Sequence, residues 1–139
     1  MCVGNRARSQ MAEAFARFIG PAEFRYFSAG STPAAELSPN TIKAMREVGI
    51  DISSYRPKAV SEVPMATIAT IITLCEDVVC PPIPEGVQHL PYPIPGPRDY
   101  PDDQVSKKAL GKHAGGADHS LAAYRRTRDQ IRELVSRLF

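Results

Sequence analysis

Three stretches repeat apolar residues at helical spacing. In the first, from about Ser9 to Ile19, Met11, Phe15, Phe18 and Ile19 fall at i, i+4, i+7 and i+8 and form one apolar stripe, which Gly20-Pro21 stops. In the second, Ser38-Pro39 is an N-cap followed by proline at the first helical position. Ile42, Met45 and Val48 carry the helix to Gly49, and Ile50-Asp51-Ile52 follows with a packing role. The third starts near Asp118 and runs to the end, with Leu121, Tyr124, Ile131, Leu134, Val135 and Leu138 along one face. Its arginines, Arg125, Arg126, Arg128, Arg132 and Arg137, lie mostly off that face and read as solvated. Between the helices lie strand patterns. Residues 67–74, Thr-Ile-Ala-Thr-Ile-Ile-Thr-Leu, are β-branched and nearly continuous in apolar character, as in a strand covered on both faces. Residues 23–28 have strand composition, residues 87–90 suit a short edge strand, and Ser61 to Pro64 is a short connection. Helices alternating with strands predict an α/β fold with a parallel sheet.

The 139 residues suit a single domain, 1–139, with a real core; 43% apolar and 23% charged content are ordinary for a globular chain. A net charge of +2 is too small to argue for nucleic acid or a membrane surface as partner. No apolar run reaches membrane-spanning length, and no signal peptide precedes the first motif. Three cysteines, an odd number, exclude a fully paired secretory framework and favour functional thiols in a reducing cytoplasm.

Eight prolines fall between Pro81 and Pro101, which rules out a regular helix or a central strand there. This reads as an ordered loop over the active site rather than a linker, because neither side is large enough to close a domain alone. Residues 107–117 are basic and glycine-rich, and read as mobile. His113 and His119 lack metal-site spacing, and no metal is expected.

The chemistry concentrates at the start, in Cys2-Val3-Gly4-Asn5-Arg6-Ala7-Arg8-Ser9, which runs straight into the first helix. Backbone N–H groups at a helix start, with those of the loop before it, attract an anion. Gly4 permits a tight turn, and Arg8 offers a planar fork matching two oxygens of a tetrahedral oxyanion. Asn5 can brace the loop, while Ser9 can cap the helix or donate to sulfur. The positive field favours Cys2 as a thiolate, the reactive form. A second constellation, Cys75-Glu76-Asp77-Val78-Val79-Cys80, follows the buried strand, and ligands of open α/β sheets bind beyond the carboxyl ends of strands. The two cysteines can be bridged if the segment bends. Two cysteines that merely pack fit the same residues.

The run Cys2-Val3-Gly4-Asn5-x-x-Arg8-Ser9-Gln10-Met11-Ala12-Glu13 resembles the signature of the low-molecular-weight protein tyrosine phosphatase superfamily, and within it looks most like the thioredoxin-coupled arsenate reductases. Ser28-Ala29-Gly30 and Gly49-Ile50-Asp51-Ile52 are similar to the same family. The resemblance implies a three-layer sandwich around a parallel four-stranded sheet. It also implies an oxyanion loop formed by Val3, Gly4, Asn5, Arg6, Ala7, Arg8 and Ser9. Cys75 and Cys80 then resemble the thiol pair that relays a disulfide outward from the nucleophile, Cys2. The resemblance further implies a monomer with no bound cofactor, an external dithiol reductant such as thioredoxin, and arsenate or a phosphate-like oxyanion as ligand.

Three positions depart from that pattern. The family's buried first strand is absent ahead of Met1-Cys2, which leaves the sheet without its central member. Ala7 stands where some relatives carry a backup cysteine. Gly96-Pro97 stands where the family usually presents Asp-Pro as the general acid, with Asp99 close enough in sequence to substitute. The leading expectation is an arsenate reductase acting through Cys2, Cys75 and Cys80. The alternatives are a tyrosine phosphatase acting through a Cys2 phosphoenzyme, and a non-catalytic oxyanion- or protein-binding relative.

Overall fold

A computed structural model describes residues 1–75, 83–100 and 120–139. Helix α1 spans Arg8–Ile19, α2 Pro39–Glu47 and α3 Leu121–Leu138. Strands β1, Thr70–Thr73, and β2, Gln88–Pro91, pair in parallel with Thr70 opposite Gln88. The sheet continues past β1 through single backbone lines. The Met1 nitrogen donates to the Ile72 carbonyl at 2.5 Å, and the Met1 carbonyl accepts the Leu74 N–H at 2.9 Å. Cys2 bridges Gly30 in parallel, and Gly30 bridges Ala59. The first two residues therefore sit in mid-sheet, at the carboxyl end of β1.

Two of the expected strands are shorter than their patterns. Thr67 closes a 3-10 turn, so the strand over 67–74 begins only at Thr70. Residues 23–28 form no ladder: 22–24 turn, and sheet contact begins at Ala29-Gly30, where Cys2 lies alongside. The edge strand predicted over 87–90 forms one residue later.

The helices follow their stripes with local exceptions. Met11 and Phe15 of α1 are buried, whereas Phe18 is 74% exposed, because the last turn of α1 runs past the core. Gly49, at φ +81°, ends α2; its N–H reaches the Arg46 carbonyl and that of Ile50 reaches Met45, the paired bonds of a Schellman cap. Helix α3 starts later than its pattern suggested, with Ser120 as its capping residue. Ile131 and Val135 of α3 join Met11, Met45, Ile52 and Leu74 in the core.

One reading of the α3 arginines is corrected. Arg128 is only 8% exposed; its guanidinium donates to the Ala44 carbonyl and to Glu47, both at 2.9 Å. Arg125 pairs with the same Glu47 at 2.6 Å. These two side chains fasten α3 to α2 instead of facing solvent freely. No helix among the described residues is long and apolar enough to cross a membrane.

Candidate active site

The loop from Cys2 to Ala7 is built from its carbonyls outward. Each accepts a hydrogen bond from the surrounding protein. Cys2 O receives Ser31 N–H at 3.3 Å, Val3 O receives Thr32 N–H at 2.9 Å, and Gly4 O receives Ala34 N–H at 2.9 Å. Asn5 O receives the Gln10 side chain at 3.0 Å, Arg6 O receives the Thr41 hydroxyl at 3.0 Å, and Ala7 O receives Met11 N–H at 2.9 Å. In a planar trans peptide the N–H opposes the C=O. Carbonyls tied outward along the whole loop turn the intervening N–H groups inward, toward one concave face, and α1 adds the N–H groups of its first turn.

Asn5 makes the turn possible. It stands at φ +48°, a conformation asparagine tolerates better than most residues, and is fully buried. Its amide nitrogen donates to Ser9 Oγ at 2.7 Å; its Oδ1 accepts Gln10 Nε2 and the Lys58 N–H, both at 2.8 Å. Gly30 lets the neighbouring strand approach: a Cβ there would stand 2.4 Å from the Val3 carbonyl oxygen.

The Cys2 sulfur is buried and surrounded by donors. Ser9 Oγ lies 2.8 Å away and the Asn5 N–H 3.3 Å. Of the two roles open to Ser9, the hydroxyl turns to sulfur; Ala7, not Ser9, is the N-cap of α1. A hydrogen bond from Cys75, reinforced by those from Ser9, holds the Cys2 thiol well below its ordinary pKa against the opposing effect of burial. Cys75 is pushed the other way, chiefly because it donates to Cys2 and secondarily by burial. The two shifts favour the thiolate form of Cys2 and the protonated form of Cys75.

Arg8 reaches from the start of α1 to the loop after β2, donating to the Ile94 carbonyl at 3.1 Å. Gly96 packs directly on its guanidinium. Asp99, the proposed stand-in acid, is occupied locally: its Oδ2 accepts the Gly96 N–H at 2.7 Å and closes the turn Pro97–Asp99. Helix α3 buttresses this loop through Thr127, whose hydroxyl donates to the Pro95 carbonyl at 3.1 Å. Cys80, His113 and His119 lie outside the described residues. Among the described residues no three histidine, cysteine or acidic side chains gather as a metal site.

Sequence reasoning missed the supports. Gln10 stood in the signature run without an assigned role and Thr41 carried none, yet both hold loop carbonyls. The signal for Gln10 was its place in the signature run, directly before the apolar stripe that starts at Met11. Lys58 reached the site by folding alone: its Nζ lies 3.3 Å from Glu13 and its N–H braces Asn5, 53 residues away in sequence.

The model of the low molecular weight phosphotyrosine protein phosphatase family matches residues 1–89, the part that holds Cys2, Arg8 and Cys75. The chain belongs to this family. Its relatives include an arsenate reductase of Brevibacillus brevis, 37% identical over 116 residues, which cover 80% of this chain and 85% of that protein. A solved arsenate reductase in the phosphate-binding state superposes with a TM-score of 0.73 at 31% identity, over 99% of this chain and 91% of that one. The thioredoxin-dependent arsenate reductase of Corynebacterium glutamicum superposes with a TM-score of 0.63 at 26% identity, over 96% of this chain and 56% of that one. The family's α/β fold, expected from the sequence, is thus the fold of this chain.

Proposed function

We propose that this protein is an arsenate reductase that converts arsenate to arsenite by thiol–disulfide exchange. The observation that carries the reading is the Cys75 thiol placed beside Cys2, where it is the largest cause lowering the Cys2 pKa. A phosphatase needs only the nucleophile and the anion cradle. A second thiol held against the nucleophile supports a step in which that sulfur is itself attacked. The arsenate reductases among its relatives support the same substrate.

Arsenate enters the loop as a tetrahedral anion, held by the N–H groups of residues 3–9 and the Arg8 fork. The Cys2 thiolate attacks arsenic, and one oxygen leaves as water after protonation. With Cys2 bonded to arsenic, the negative charge that kept the Cys75 proton in place is gone, and the nearby Arg8 favours the Cys75 thiolate. Cys75 then attacks the Cys2 sulfur; the sulfur–arsenic bond breaks, its electron pair stays on arsenic, and arsenite departs. Cys80 attacks Cys75, forming the Cys75–Cys80 disulfide and returning Cys2 as a thiolate. A dithiol protein of the thioredoxin type reduces that disulfide, and a reducing cytoplasm is the matching compartment. No bound metal or organic cofactor takes part in this scheme, and it requires only a single copy of the chain.

Arsenate-dependent NADPH consumption, with thioredoxin and thioredoxin reductase supplied, tests the proposal. The intact chain should turn over and Cys75→Ser should not, while any hydrolysis of an aryl phosphate survives in Cys75→Ser. Aryl phosphate turnover without arsenate turnover in the intact chain would make it a phosphatase. Oxyanion binding without either activity would make it the non-catalytic relative.

A further inference from the structure

Glu13 is a buried carboxylate that the mechanism leaves unused. Its side chain is 4% exposed, and both of its oxygens are taken: Oε1 by Arg17 at 2.6 Å, Oε2 by the Ser28 hydroxyl and by the Lys58 ammonium at 3.3 Å. The Lys58 Nζ also lies 3.4 Å from Ser28 Oγ and from the Arg56 carbonyl oxygen. An ammonium has three donors, and here each has an oxygen. A buried ion pair gains little over its own desolvation, so it is weak evidence of a contribution to stability. What this one does is fix a position.

The position is that of the Asn5 side chain. Arg56 O accepts Gln10 Nε2 at 2.9 Å as well as Lys58 Nζ, and Asn5 O accepts the same Gln10 nitrogen at 3.0 Å. Carbonyls only accept, so the NH2 of Gln10 is the end that faces them. That NH2 and the Lys58 N–H both reach the Asn5 side chain at 2.8 Å, which makes the receiving atom Oδ1. The Asn5 NH2 therefore faces Ser9 Oγ, which accepts it at 2.7 Å. Ser9 has only its own proton left to give, and the Cys2 sulfur lies 2.8 Å away. One directed chain of donors thus runs from Lys58 through Asn5 and Ser9 to Cys2. Hydrogen bonds in such a chain polarise one another, and a donor to sulfur favours the thiolate.

We propose that Lys58 is a positioning residue for the nucleophile: its ammonium, held by Glu13, keeps its own N–H on Asn5 and so keeps the Ser9 hydroxyl donating to Cys2. This rests on the function proposed above only for Cys2 as nucleophile, which arsenate reduction and aryl phosphate hydrolysis share. The charged groups around the chain are few. Arg17 holds the far oxygen of Glu13, and Arg56 pairs with Glu62 at 2.9 Å. Cys2 itself is faced by the Cys75 thiol and the Met1 amine, and Arg8 acts on Cys75.

The pH dependence of Cys2 alkylation by iodoacetamide, which needs no arsenate, tests the proposal in the full chain. Lys58→Met removes the charge and keeps most of the stem, and Lys58→Arg keeps the charge. Glu47→Gln weakens the α2–α3 clamp without touching this network. The inflection is read rather than the plateau, because a loosened loop alone changes access to sulfur. Lys58→Met should raise the inflection by about half a pH unit, roughly threefold less thiolate below it. Lys58→Arg and Glu47→Gln should stay close to the intact chain. Lys58→Gln, neutral but still a donor, replaces Lys58→Met if that variant does not fold, with a shift in the same direction. An inflection unmoved in the neutral variant, or moved equally by Lys58→Arg or Glu47→Gln, would overturn the proposal. The expected shifts in a chain that turns over no arsenate would support it and overturn the reductase reading alone.

Discussion

Gly96 lies against Arg8 so closely that a Cβ on it would stand 3.2 Å from the guanidinium carbon. With Gly96-Pro97 standing where the family usually presents Asp-Pro, the resemblance implies that Gly96→Asp restores a general acid, which serves aryl phosphate hydrolysis. The contact changes that expectation. A carboxylate at this position meets Arg8 first and competes with the oxyanion for its fork. Steady-state kinetics on Gly96→Asp should show a KM for arsenate raised more than kcat is lowered. An unchanged KM with faster aryl phosphate hydrolysis would restore the acid argument.

Asn5 joins the loop to α1 and to Lys58, and its replacement separates two roles. Asn5→Ala removes the bonds to Ser9, Gln10 and Lys58 and places a Cβ residue at positive φ without compensation. Lost partners of this buried kind typically cost about 1–3 kcal/mol each. Asn5→Gly relieves the backbone and loses the same side-chain bonds. Urea denaturation should therefore rank the intact chain above Asn5→Gly, and Asn5→Gly above Asn5→Ala.

The Cys2–Cys75 pair predicts a pH profile. A thiol reacts with iodoacetamide as its thiolate, so the rate at Cys2 falls as pH drops through its pKa. That pKa lies well below the ordinary thiol value in the intact chain, with Cys75 the largest cause. Cys75→Ala removes the donor, and the inflection should move to higher pH. Cys75→Ser retains a hydroxyl donor and should move it less. Mass-resolved alkylation of Cys2 from pH 4 to 9 would check both; coincident profiles for all three would show that Cys75 does not act on Cys2.

The α2–α3 clamp titrates in acid. Arg125 foremost, then Arg128, holds the Glu47 carboxyl at about 2, against an ordinary value of 4.5. A depressed folded pKa contributes stability that is full above the unfolded value and lost as pH falls through the folded one. The stability difference between the intact chain and Glu47→Gln, read from urea midpoints, should be constant above about pH 5 and shrink toward zero near pH 2. A difference independent of pH would mean the clamp does not depend on the charge.

How much was legible depended on how local each signal was. The stripes of α1, α2 and α3 read from periodicity and capping, the loop at Cys2–Ser9 from its residue types and the family resemblance, and Cys75 from its place after a β-branched run. The supports of the loop did not. Lys58 and Thr41 touch it only after the chain has folded back, and no local pattern marks them. Phe18 belonged to the stripe by spacing and is exposed because the core ends before the helix does. Arg128 lay off the apolar face by spacing and is buried because Glu47 and the Ala44 carbonyl give it partners. Residues 23–28 have strand composition, but a strand exists only where a neighbour offers hydrogen bonds, and the bridges of this segment are those of Gly30 to Cys2 and Ala59.

The central claim is that Cys75 attacks the sulfur of Cys2 after arsenate has bound. Cys80→Ser should halt the relay at that point. Mass spectrometry of this variant after a single addition of arsenate, without thioredoxin, measures it most directly. The account predicts a Cys2–Cys75 disulfide, the chain lighter by two hydrogens, with one arsenite released per chain. A chain that releases arsenite without that disulfide, or binds arsenate and releases none, would contradict it.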